Sequence, residues 1–178
     1  MIPIADFFLV LFTVFSVGFD IGSRRIPNWL ILLGISWGIL VNAWKGDLFN
    51  SFLGLGLGIG ILIIPFALGW LGAGDVKLLG AIGAILGVKW LPRVFFYSAL
   101  VGGLLAIMSI FTKGMNPKAF KDALYDFKLM IMSRGAVLPD TVNERRMKGA
   151  RTVPYGVAIG LGTLVAFYVD PRGEWAGF

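Results

Sequence analysis

The sequence predicts an all-α fold, a polytopic membrane bundle of about six transmembrane helices. Three observations carry that expectation. The chain of 178 residues is 57% hydrophobic with a mean hydropathy of +0.83. Only 15% of it is charged, where a soluble domain stands near one quarter. Its apolar residues also fall in blocks of spanning length instead of alternating with polar ones, so they are suited to burial against lipid and neighbouring helices.

The expected spans run over about 4–20, 28–44, 51–71, 76–91, 93–111 and 153–169. The first segment, MIPIADFFLVLFTVFSVGFD, has no basic start and no small-residue cleavage site, and therefore reads as a retained helix rather than a signal peptide. The third carries Gly54 and Gly58, and Gly56 and Gly60, at intervals of four, and the last carries Gly156 and Gly160. Such spacing makes a smooth strip along which another backbone approaches closely. No G-x-G-x-x-G or P-loop spacing accompanies it, so packing is the reading over phosphate binding. The fourth span is the shortest and must begin near Leu71 to approach membrane length, which draws Asp75 into the bilayer.

Six crossings place Arg24, Arg25, Lys77, Lys113, Lys118, Lys121, Lys128, Arg134, Arg145, Arg146, Lys148 and Arg151 on one side, against Lys45, Lys89, Arg93 and Arg172 on the other. This asymmetry makes the first side cytoplasmic and puts both termini outside. It also accounts for the net charge of +6 without a nucleic-acid partner, for which no aromatic-basic patch is present. The whole chain, 1–178, is expected to form a single membrane domain. Its 113–151 cytoplasmic loop contains an amphipathic stretch with Phe120, Leu124, Phe127 and Ile131 on one face, suited to lie on membrane lipid or to act as a lid.

The chain has neither cysteine nor histidine, which removes disulfides, thiolate nucleophiles, Cys/His zinc sites and an imidazole base. Chemistry is left to carboxylates, Lys, Tyr, Ser or backbone. Asp20 closes the first span and Asp75 opens the fourth, both on the cytoplasmic side and at the hydrocarbon boundary. A carboxylate there is costly and marks either a function or a compensated pair. Gly72 and Gly74 beside Asp75 offer unusual backbone conformations and exposed main chain. Two facing carboxyls share a proton, so one draws a proton from water while the other polarises a carbonyl, with no metal or cofactor required. The alternative is structural: Asp20 paired with Lys77, or Asp75 with Arg24, pinning two helices together.

These segments resemble the type IV prepilin peptidase and preflagellin peptidase family, membrane aspartyl proteases of the GxGD class. Asp20 followed by Ile26, Pro27 and Asn28 resembles the family's first motif. GAGDVKLLGAIGA from 72 to 84 resembles the second, and VPYGVAIG from 153 to 160 the last-helix segment. The resemblance implies Asp20 and Asp75 as catalytic aspartates, with Gly72, Gly74, Lys77, Pro27, Asn28, Pro154, Tyr155 and Gly156 shaping the site or binding substrate. The implied substrate is a pilin or pilin-like precursor whose short basic leader is cut at the inner (cytoplasmic) membrane's cytoplasmic face, beside the hydrophobic helix that follows. Long-form relatives carry a cysteine-bearing cytoplasmic domain and methylate the new N-terminus. This chain resembles the short form found with tight-adherence (Flp-type) systems, for which cleavage without methylation is expected. The loop's nine basic and four acidic residues match a basic leader poorly. Two other classes stay open: a proton-coupled carrier or channel using the carboxylates as relays, and a non-catalytic assembly protein. Nothing in the sequence specifies an oligomeric state.

Overall fold

A computed structural model of the chain describes residues 3–67, 71–113 and 155–169. Within them lie six α-helices: α1 (Pro3–Ser23), α2 (Asn28–Trp44), α3 (Leu48–Ala67), α4 (Ala73–Leu86), α5 (Leu91–Lys113) and α6 (Tyr155–Val169). A 3-10 turn over Val88–Trp90 joins α4 to α5. Three stretches, Asp6–Ser23, Leu48–Ala67 and Val88–Met108, are long and apolar enough to cross a membrane, and α2 and α6 are shorter apolar helices. The amphipathic stretch in the 113–151 loop and Pro154 lie outside the described residues.

The fourth helix is the centre of the bundle. It has 14 residues, about 21 Å at the α-helical rise, which is well under a hydrocarbon thickness of about 30 Å. Its residues from Leu78 to Ile85 are all buried. Lipid therefore meets little of α4 over that stretch, while its start, with Gly72, Ala73 and Lys77 exposed, lines a cavity, a setting in which non-helical backbone is tolerated at depth. Contacts with α3 and α2 dominate its packing, whereas α6 packs chiefly on α5 and α1.

Glycines permit these approaches. Gly54 faces the Gly83 carbonyl, Gly58 lies where an added Cβ would come 2.6 Å from the Leu79 carbonyl oxygen, and Gly38 of α2 sits equally close to Ala84. The i,i+4 reading of α3 is thus half used: Gly54 and Gly58 meet α4, while Gly56 and Gly60 have nothing within 4 Å. In α6, Gly160 packs on Val17 and Thr13 of α1.

Polar side chains are absorbed locally. Thr13, Ser16, Ser98 and Thr163 each donate to the carbonyl four residues earlier, which hides a hydroxyl inside its own helix. The C-terminal end of α4 is tied down from outside. Asn42 Nδ2 donates to the Ala84 carbonyl at 2.9 Å and Ser51 Oγ to the same oxygen at 2.7 Å. Helix α4 stops at Gly87, whose φ of 82° and ψ of 176° are essentially restricted to glycine. Val88 then donates its N–H to Asn50 Oδ1 at 3.0 Å.

Candidate active site

The cavity lies at one end of the bundle, where the last turn of α1 and the first turns of α2, α4 and α6 meet. Its volume is about 400 Å3, and its lining includes Asp20, Arg24 and Arg25 from the end of α1, Ile26 and Asn28 from the start of α2, 72–75 and Lys77 from the start of α4, and Tyr155 from the start of α6. Three helix N-termini thus border one space, each bringing the positive end of a helix dipole to it.

Asp20 and Asp75, 55 residues apart in sequence, are both buried at this junction. Asp20 Oδ2 accepts the Val157 N–H at 3.0 Å. Gly156 makes that approach possible, since an added Cβ would stand 2.6 Å from Asp20 Oδ2 and 2.9 Å from its Cγ. Asp75 is at the third position of α4 and turns back on its own helix start, where Oδ2 accepts the Gly72 N–H at 2.9 Å. Gly156 packs against the Asp20 carboxyl, and Asp20 lies close enough for its charge to act on Asp75. Two acidic side chains buried beside one cavity, with the charge of one acting on the other, are the setting in which a pair shares a proton.

The structural pairing weighed against this arrangement is not what forms. Lys77 is exposed, and its Nζ donates to Asn28 Oδ1 at 3.0 Å, linking the rims of α4 and α2. Arg24 places its charge near Asp20, its neighbour one turn back on α1, and not on Asp75. Pro27 holds the N-cap position of α2, and its carbonyl accepts the Leu30 N–H at 3.1 Å. That position suits proline, which has no N–H to leave unsatisfied.

The expected role of the motif glycines needs correction. Gly72 has φ −81° and ψ 155°, a conformation open to any residue, and Gly74 is helical. A Cβ on Gly72 would lie 3.4 Å from Asp75 Oδ2, and one on Gly74 would lie 3.8 Å from Ile26, both ordinary contacts. What these glycines provide is bare main chain on the wall of the cavity, without any special backbone geometry.

The unusual conformation belongs to Arg24, at φ 52°, whose N–H bonds back to the Asp20 carbonyl at 3.0 Å and ends α1. A long side chain in the left-handed region costs on the order of 1 kcal/mol or more, and such outliers cluster at functional sites. Sequence reasoning did not single out Arg24, Arg25, Ala73 or Val157 as cavity or site residues. The short Ser-Arg-Arg-Ile-Pro link was the available signal, because the residue before a proline is held extended and forces α1 to finish by Arg24.

Comparison with known proteins adds an independent line. Over 101 residues the chain is 32% identical to the "Prepilin leader peptidase/N-methyltransferase" of Bacillus subtilis (strain 168), an alignment covering 52% of this chain and 39% of that protein. The chain therefore spans well under half the length of that relative. No solved structure matches. The model of the Type IV leader peptidase family matches residues 7–107, a stretch that holds both aspartates, Pro27, Asn28 and the whole of α4. By that match, over more than half its length, this multi-pass membrane protein belongs to the Type IV leader peptidase family.

Proposed function

We propose that the chain is an aspartic-type endopeptidase that removes a short basic leader from pilin-like precursors of the Flp type, at the cytoplasmic face of the inner membrane and without methylating the new N-terminus. One observation carries the reading: Asp20 and Asp75, buried carboxylates from separate helices, line one cavity. Family membership supports the general chemistry.

In this mechanism the ionised aspartate takes a proton from a water molecule as that water adds to the scissile carbonyl carbon. The protonated aspartate meanwhile hydrogen-bonds the carbonyl oxygen. Collapse of the adduct breaks the C–N bond and passes a proton to the departing amine. The exposed Arg24, Arg25 and Lys77 give the mouth a positive rim, so a basic leader is not drawn in by charge, and the backbone next to the apolar helix is what enters.

Asp20→Asn and Asp75→Asn, each purified with the full chain and incubated with a precursor pilin, should each lose cleavage by several orders of magnitude, because removing either group removes half of a paired acid and base. Full cleavage by either single variant would sink the two-aspartate mechanism. A transport role fits less well. Asp20 and Asp75 are the buried carboxylates among the described residues, both stand at one end of the bundle, and no further one continues a relay across it.

A further inference from the structure

The geometry points to Tyr155 as a third catalytic group, one whose phenol O–H donates to the scissile carbonyl oxygen as negative charge builds on it. This rests on the endopeptidase reading above and deepens it, since the cavity must then supply a donor for the oxygen in addition to an acid and a base.

Backbone amides are the common source of such a donor, and two here are already committed. The Gly72 N–H goes to Asp75 and the Val157 N–H to Asp20. Among the side-chain donors of the cavity, Arg24, Arg25, Lys77 and Asn28 are all exposed at the mouth, where Lys77 Nζ donates to Asn28 Oδ1. Tyr155 differs from all four. It is half-buried, it lines the same cavity, and it is near enough to Asp75 to feel that carboxyl's charge.

Its placement is also firm. Tyr155 is the first residue of α6, in the same turn as the Val157 N–H that bonds Asp20. One edge of the ring packs against α5, where an added Cβ on Gly102 would be 3.1 Å from Tyr155 Cε2. Glycine at 102 is thus what leaves room for the ring. A phenol is a neutral donor that holds its proton at neutral pH, and a neutral donor in a water-poor site strengthens its bond as the acceptor gains charge.

The step remains balanced. Water oxygen bonds to the carbonyl carbon, one water proton goes to the ionised aspartate, and the C=O electron pair moves to oxygen, which Tyr155 stabilises without giving up its proton. The C=O then re-forms, the C–N bond breaks, and the amine leaves with a proton from the aspartate pair.

The test is Tyr155→Phe in the full chain in proteoliposomes, assayed with a fluorogenic peptide bearing a lysine-containing leader, a glycine at the cut and an apolar helix. Phenylalanine keeps the ring against Gly102, so the melting temperature should not move. The expected result is a kcat lower by about 100-fold with KM changed less than about twofold, the signature of a donor used only in the transition state. Wild-type cleavage together with full kcat in Tyr155→Phe overturns the proposal alone. A displaced pH profile with kcat retained at its optimum also overturns it, because the hydroxyl would then act through Asp75, Asp20 or the neighbouring Arg24. Absence of any cleavage by wild type overturns the endopeptidase reading and this proposal with it.

Discussion

At Gly156 a single missing methyl group decides whether two helices deliver their carboxyls to the same place. An added Cβ would lie 2.6 Å from Asp20 Oδ2, well inside contact distance, and the obstacle is an anchored side chain accepting the Val157 N–H. Gly156→Ala should therefore reduce activity by at least about 100-fold, because an ångström of displacement at a reacting group costs that much. Gly72→Ala and Gly74→Ala, whose added methyls meet only ordinary contacts, should leave stability within about 0.5 kcal/mol while lowering activity by narrowing the cavity. Thermal unfolding and cleavage measured on all three variants check this, and equal activity in Gly156→Ala and wild type would contradict it. Asp20 and Asp75 were legible in the sequence because a carboxylate set amid apolar residues is costly unless it has a partner or a task. The work of Gly156 was legible only as a motif match, since no spacing rule says that its Cα faces a residue more than a hundred positions away. The left-handed backbone of Arg24 was not legible, because nothing about an arginine signals it, although the nearby Pro27 marked where α1 must end.

Elements were easier to read than their partners. The six helices among the described residues fall where apolar blocks of spanning length predict them, with ends shifted by a few residues where Gly46, Pro27 and Gly87 set the turns. The sequence suggested that α4 is stretched to reach across the bilayer. The structure gives a short helix buried by its neighbours, which removes the need to match lipid thickness. That arrangement relies on polar contacts at its far end, notably Asn42 Nδ2 on the Ala84 carbonyl. Asn42→Leu should cost about 1–2 kcal/mol in a detergent unfolding series, the range for interhelical hydrogen bonds of membrane proteins. The Ser51 bond to the same oxygen softens the loss, and an unchanged midpoint would mean that Ser51 alone suffices. Of the four-residue glycine intervals, Gly54 and Gly58 met the expected close contact whereas Gly56 and Gly60 did not, because spacing defines a stripe but not which stripe faces a neighbour.

For the molecule as a whole, packing divides the helices into α2, α3 and α4, which carry Asp75, and α1, α5 and α6, which carry Asp20. The first group encloses the most buried helix, so amide hydrogen exchange in micelles should be slowest over 78–85, slower than over α5, whose residues alternate between buried and exposed. Exchange along α4 as fast as along α5 would refute the idea of a rigid central helix. The junction between the groups is where α2, α4 and α6 begin, and their three N-termini share one cavity. Seen as an electrical environment, that convergence sorts the parts of any incoming chain. An oxygen gaining negative charge is favoured there, while an ammonium or guanidinium is turned back. A peptide entering such a field would be met through its main chain, with its positive side chains left outside in water.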